Sequence, residues 1–163
     1  MLVAVISDTH LPRGKRAIPD ACLERLRSAD LIIHAGDFVE ADVVHELERL
    51  GPPLAGVHGN MDSQDVRRLL PAARTLDADG ARIAIVHDGG PAARRLERLR
   101  ARFPGADAVV FGHSHMPLHE RAEDGVQIFN PGSPTERRRA PHHTMGIATI
   151  ENGTPAFSLV ALG

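Results

Sequence analysis

Tryptophan and tyrosine are absent from this 163-residue chain; cysteine occurs once, at Cys22, and lysine once, at Lys15. One thiol excludes both a disulfide framework and a cysteine-rich zinc site. No apolar stretch comes near the roughly 20 residues that a membrane-spanning helix needs. Charge of one dominant sign is also missing: 19 Lys plus Arg stand against 21 Asp plus Glu, a formal net charge of −2. That balance gives no bulk attraction to nucleic acid or to anionic membranes. The chain opens on a strand-like run without a basic leader, so no signal peptide is expected and the cytoplasm is the expected compartment. Histidine is what the chain has in excess. There are ten, beside five aromatic residues that are all phenylalanine. The length suits a single domain, 1–163, able to bury roughly 69% of its unfolded surface without disulfides.

Five short apolar runs, at 2–6, 31–33, 54–57, 83–86 and 108–111, are continuous rather than alternating. Such runs predict strands buried on both faces. Helical patterns lie between them. Asp20 is placed to cap a helix carrying Leu23 and Leu26, and 42–50 sets Val43, Leu47 and Leu50 at helical spacing before Gly51-Pro52-Pro53. Pro91 is expected to open a third helix, with Ala92, Leu96, Leu99 and Phe103 on one face and arginines on the other. Asp79-Gly80 and Asn152-Gly153 predict tight hairpin turns. Further strands are expected at 75–78, 126–129, 145–150 and 156–162. Strand and helix alternate in the first half and antiparallel strands fill the second. The expectation is an α/β fold of two packed mixed sheets with helices outside.

Each of the five runs leads to a side chain that can bind a metal. Asp8 and His10 follow the first, Asp37 the second, Asn60 the third, His87 the fourth, and His113 and His115 the fifth. Ligands of open α/β sheets bind beyond the carboxyl ends of the strands, so two carboxylates, one amide and four imidazoles would share a crevice. Taken singly, each piece is ordinary. Asp8-x-His10 reads as a cap or turn, and Gly36-Asp37 and Gly59-Asn60 read as turn dipeptides. His87 alone would be a strand-end histidine, and His113-x-His115 a surface pair. Five coincidences at equivalent strand ends favour one metal site over five unrelated features. Imidazole, carboxylate and amide without thiolate suit Mn, Fe, Zn, Ni or Co. Seven groups exceed one such ion; with Asp37 bridging, about four bonds fall to each of two. Two divalent ions, two aspartates and a hydroxide leave one positive charge, which a phosphodiester would neutralise.

Asp8-x-His10, Gly36-Asp37, Gly59-Asn60, His87 and Gly112-His113-x-His115 resemble, in order and spacing, the signature of the calcineurin-like metallophosphoesterase superfamily. Ser7-Asp8-Thr9-His10, His34-Ala35-Gly36-Asp37 and Asn130-Pro131-Gly132-Ser133 are similar to its small single-domain branch. That branch contains prokaryotic phosphodiesterases and the metallophosphoesterase-like subunit of retromer. The resemblance runs from Leu2 to about Ser133. It implies a four-layer αββα sandwich with two divalent transition metal ions at one edge, manganese first among Mn, Ni, Fe, Zn and Co. Asp8, His10, Asp37 and His115 would hold one ion, and Asp37, Asn60, His87 and His113 the other. A bridging hydroxide would be the nucleophile. The expected function is a phosphodiesterase for small phosphodiesters, with a non-catalytic interaction scaffold or a nuclease as the alternatives. Three positions depart from the pattern. Met61 stands where the protein-phosphatase branch has a histidine regarded as the leaving-group acid. Asp88 follows His87, and Leu11 follows His10, where glycine is common.

The other histidines divide by position. His58 lies two residues before Asn60 and can share its side of an extended strand. It is a candidate leaving-group acid or substrate contact, against the plainer role of packing behind the ligands. His34 is expected to be a satisfied buried residue behind Asp37. His45 in a helix and His119 in a loop are expected to be solvated. His142 and His143 follow Arg137-Arg138-Arg139, a loop that either reaches substrate phosphates or stays in solvent.

Overall fold

The structure, a computed structural model, describes residues 1–163. Its strands are β1 (Leu2–Ile6), β2 (Leu31–His34), β3 (Leu54–Gly56), β4 (Ala73–Ala78), β5 (Ala81–Val86), β6 (Ala108–Val110), β7 (Leu118–Arg121), β8 (Gln127–Asn130), β9 (Thr144–Glu151) and β10 (Thr154–Ala161). Its helices are α1 (Asp20–Ser28), α2 (Ala41–Glu48), α3 (Gln64–Leu69) and α4 (Arg95–Arg102). The strands form two five-stranded sheets, ordered β10-β9-β1-β2-β3 and β4-β5-β6-β8-β7. Both are mixed. β1, β2 and β3 run parallel, with β9 antiparallel to β1 and β10 antiparallel to β9; β5, β6 and β8 run parallel, with β4 and β7 antiparallel to their neighbours.

The continuous apolar runs work by their two-residue period. Val3 and Val5 of β1 point between the sheets, while Ala4 and Ile6 point outward under helices. Ile83 and Ile85 of β5 face the same inner core, and Ala84 and Val86 face away from it. Three apolar layers result. The inner one joins the sheets through Val3, Ile33, Ile85, Val110 and Phe129. The second seats α1, α2 and α3 through Leu26, Val44, Leu47 and Val66. The third seats α4 through Leu99 against Val109, Phe111 and Ile128. This is the four-layer αββα sandwich. Truncating a residue such as Ile85, 0% exposed, to alanine would cost about 2–5 kcal/mol.

The turn chemistry behaves as read. Asp79 and Gly80 have φ of 52° and 83°, and Asn152 and Gly153 have 50° and 74°, the left-handed pair that a two-residue hairpin requires. Helix starts differ from the sequence reading. Pro19 occupies the N-cap of α1 and makes no side-chain bond; Asp20 is already in the first turn. Pro91 does not open α4. Arg94 at its N-cap turns left-handed (φ 54°), and Arg95 and Arg98 donate to the carbonyls of Gly90, Pro91 and Ala93 before the helix begins. Ala92 offers too little apolar surface to hold that turn down and is exposed. Two elements were not expected. α3 buries only Val66 among its six residues, so its periodicity is faint, though Ser63 caps it. β7 is an exposed, charged edge strand and places His119 on a sheet rather than in a loop.

Candidate metal centre

The loops that leave β1, β2, β5 and β6, together with the segment after β3, meet at one edge of the sandwich. Backbone bonds lace them: the amides of Asp8, His10 and Leu11 donate to the carbonyls of Gly36, Asp37 and Phe38. Five of the seven candidate ligands have positive φ: Asp8 56°, His10 45°, Asp37 61°, His113 69° and His115 58°. Non-glycine residues adopt that conformation only where the surroundings enforce it, and such outliers concentrate at functional sites. Gly112 is required by crowding of the same kind, since a Cβ there would collide with Ser7 Oγ and the Asp8 carboxylate.

All seven side chains converge. The ligating atoms of Asp8, His10 and His115 lie within 4.8 Å of one another, as do those of Asp37, His87 and His113. Asn60 Oδ1 lies 3.0 Å from His87 Nε2 and 3.1 Å from His113 Nδ1. Asp37, a member of the second group, also reaches a nitrogen of the first. Its Oδ2 is 3.4 Å from His10 Nε2 and 3.3 Å from His87 Nε2, while its Oδ1 accepts the Met61 amide at 2.8 Å.

Neighbours set the imidazole tautomers. His87 Nδ1 donates to the Ala35 carbonyl at 2.7 Å and His115 Nδ1 to the Glu136 carbonyl at 2.5 Å. In both, the Nε2 lone pair is left aimed inward. A carbonyl behind a histidine is the usual way a metal-binding ring is oriented. Three buried nitrogens, His10 Nδ1, His10 Nε2 and His115 Nε2, have no hydrogen-bond partner at all. Buried polar atoms without partners are costly, and a divalent cation is the partner that this donor set fits.

The local charges agree with that fit. Burial alone would lower the His87 pKa, but the Asp37 and Asp8 carboxylates override it and push it up to about 8. Burial, the largest single influence, raises the Asp37 pKa, and the bond and charge of His87, the Met61 amide and the charge of His10 together outweigh it, leaving a net lowering. The cage therefore demands positive charge, from a proton if nothing else is present. His115 is held below its ordinary value by burial.

Behind the ligands stand residues whose role the sequence did not reveal. Asp62 is buried, and its two oxygens accept the amides of Asp37 (3.0 Å), Val39 (2.6 Å) and Gly59 (2.6 Å). It thus ties the Asp37 loop to the Asn60 loop. Burial pushes its carboxyl up, against the lowering effect of those N–H donors. Asn130 Nδ2 donates to the Gly112 carbonyl and to Ser114 Oγ, and Ser133 Oγ donates to the Asp8 carbonyl, so the Asn130-Pro131-Gly132-Ser133 stretch braces two ligand loops. The only sequence signal for Asp62 was its place two residues after Asn60.

His34 is fully buried, stacks on Phe38 at 3.5 Å, and bonds Thr9 and the Gly36 amide. Burial pushes its pKa down to about 3, so it is a neutral brace, as expected. His58 sits on the wall of a cleft beside Asn60, His87 and His113, with Nδ1 3.5 Å from Arg67 Nη1. His119 is exposed, as expected, but it lies on β7 rather than in a loop, bonding Gln127 at 2.8 Å and packing edge-on against Phe129. Arg138 reaches the His113 carbonyl at 3.4 Å, bringing one guanidinium of the Arg137–Arg139 run to the rim of the centre.

Comparison with known proteins gives this geometry a family. Residues 1–153 match the calcineurin-like phosphoesterase superfamily domain. A probable metallophosphoesterase of Methanothermobacter thermautotrophicus is 38% identical over 142 residues, covering 85% of this chain and 80% of that protein. A phosphodiesterase of Methanocaldococcus jannaschii is 25% identical over 145 residues, covering 81% and 83%. Among solved structures, Vps29 of Entamoeba histolytica complexed with zinc superposes with a TM-score of 0.77 at 20% identity, covering all of both chains. No helix of this protein is long and apolar enough to cross a membrane. With the strand-end residues, the sandwich and the 38% identical relative in agreement, the chain belongs to the calcineurin-like phosphoesterase superfamily.

Proposed function

We propose that this protein is a dinuclear metal-dependent phosphodiesterase. The observation that carries the reading is Asp37 Oδ2, placed 3.4 Å and 3.3 Å from the inward nitrogens of His10 and His87. One oxygen so placed can serve both groups. Asp8, His10, Asp37 and His115 would hold one ion, and Asp37, Asn60, His87 and His113 the other. Two divalent ions held there would supply the nucleophile by acidifying water and would offset charge developing on the phosphoryl oxygens. The chain's own contribution is positioning. The Met61 amide fixes the free oxygen of Asp37, the Ala35 and Glu136 carbonyls fix the rings of His87 and His115, and the Ser7 hydroxyl and His113 amide hold Asp8 Oδ2.

The phosphodiesterase relative and the single positive charge that the loaded site would carry both support a diester substrate. Manganese is the first ion to supply, with zinc, the ion bound by the Vps29 structure, as the first comparison. The test is hydrolysis of bis(p-nitrophenyl) phosphate by chelator-treated protein with each ion restored. Turnover that returns with the metal supports the reading. A protein that binds two ions and releases no nitrophenol would contradict it.

A further inference from the structure

We propose that the cleft beside Asn60, His87 and His113 is a subsite for a second phosphate, so that the substrate is a phosphodiester carrying an additional phosphomonoester. This rests on the phosphodiesterase reading of the metal centre and names its substrate class. The cleft has a volume of about 300 Å³ and opens directly from those three residues. Its remaining polar wall is His58, Arg67, Asp88 and Arg102.

The arginines of α3, of α4 and of the α4 N-cap differ in their partners. Arg68, Arg94 and Arg100 pair with Asp65, Glu97 and Asp124, so their charge is already compensated, while Arg95 and Arg98 are turned to the carbonyls of Gly90, Pro91 and Ala93. Arg67 and Arg102 face the cleft. The Arg67 guanidinium is fixed by carbonyls rather than carboxylates: those of Asp62 (3.0 Å), Gly59 (3.0 Å) and Asn60 (3.1 Å). Its orientation is set while its charge stays uncompensated. Arg102 lies over the Phe103 ring at 5.2 Å and is held by no carboxylate, which leaves its planar donor edge for a ligand. It also lines the adjoining depression of about 290 Å³ with Arg98, extending the positive wall away from the metal centre.

With Nδ1 turned to Arg67, His58 presents Nε2–H as a further donor. Asp88 is the one carboxylate on the wall, and its Oδ1 already accepts the Gly90 amide at 2.7 Å. The open two-pronged edge of Arg102, the charge of Arg67 and an imidazole N–H, against one partly engaged carboxylate, suit a phosphate. Asn60, His87 and His113 are themselves part of the cleft wall, so a phosphate seated there adjoins the metal centre and belongs to the same substrate molecule.

The test compares two diesters with the same leaving group: thymidine 5′-(p-nitrophenyl phosphate) and its 3′-phosphorylated form. With the metal-loaded protein, kcat/KM should favour the 3′-phosphorylated diester by about 10-fold. That preference should shrink as salt rises, because both arginines are exposed. Arg102→Gln should bring the ratio near one, while Arg100→Gln, whose side chain pairs with Asp124, should keep it. Equal kcat/KM for the two diesters, or a ratio that survives Arg102→Gln, would overturn the proposal. Calorimetric binding of thymidine 3′,5′-bisphosphate against thymidine 5′-phosphate reads the subsite without turnover. If neither diester is cut and the bisphosphate still binds about 10-fold tighter in an Arg102-dependent way, the phosphodiesterase reading fails and the phosphate site stands. If the two nucleotides bind equally, the subsite is gone.

Discussion

Asp8, His10 and His115 are sealed inside the protein at 0%, 2% and 0% exposure, whereas Asn60 and His113, on the far side of Asp37, face solvent. The sealed half carries all three unpartnered nitrogens. The open half adjoins the arginine-lined cleft. On the proposed reading one half would retain a cation and the other admit a substrate, with Asp37 Oδ2 within 3.4 Å of a nitrogen in each. The contrast has a physical cost on each side. Sealing imidazoles without partners destabilises the metal-free fold, while opening the second half leaves its ligands competing with water.

The largest expected effect comes from the shared residue. Asp37→Asn should lower turnover on an aryl diester at least about 100-fold, or roughly 2.7 kcal/mol of barrier. Near-native turnover would break the two-ion reading. Next is the difference between the halves. His10→Ala should abolish retention of the ion that survives dialysis, whereas His113→Ala should keep that ion and lose the readily exchanged one. Equal losses in the two variants, read by elemental analysis, would erase the distinction. Asp62→Asn should follow, since an amide presents only one oxygen to three N–H donors. We expect a loss of about 1.5–3 kcal/mol in unfolding free energy, measured in urea, with weakened binding at both halves.

The smallest expected effect is pH-dependent. His87 in the metal-free protein is raised from an ordinary 6.5 to about 8. Its protonated form therefore adds stability that is complete below pH 6.5 and is lost as pH rises through 8. A metal must displace that proton, so the gain in Tm on adding Mn²⁺ should be greatest above pH 8. The stabilisation free energy behind that gain should shrink by up to about 1.4 kcal/mol for each pH unit below that. A metal-induced gain that is flat from pH 6.5 to 8.5 would separate His87 from the site.

The sequence made the centre legible because its ligands sit at the ends of runs that read as strands. The inner and outer faces of β1 and β5 follow directly from period-two burial, and both Gly-containing hairpins follow from turn chemistry. What escaped was held by contacts without a local pattern. Asp62 serves amides 23 and 25 residues away. Arg67 and Arg102 are ordinary arginines until α3 and α4 bring them to one cleft. α3 itself buries one residue and so leaves almost no period, and the start of α4 is decided by a left-handed Arg94 rather than by Pro91.

The sharing of Asp37 is most directly tested by electron paramagnetic resonance of protein titrated with Mn²⁺. Two Mn²⁺ per chain with an exchange-coupled spectrum, which Asp37→Asn converts to an uncoupled one, is the expected result. A single Mn²⁺ per chain, or two that remain magnetically independent in the native protein, would contradict it.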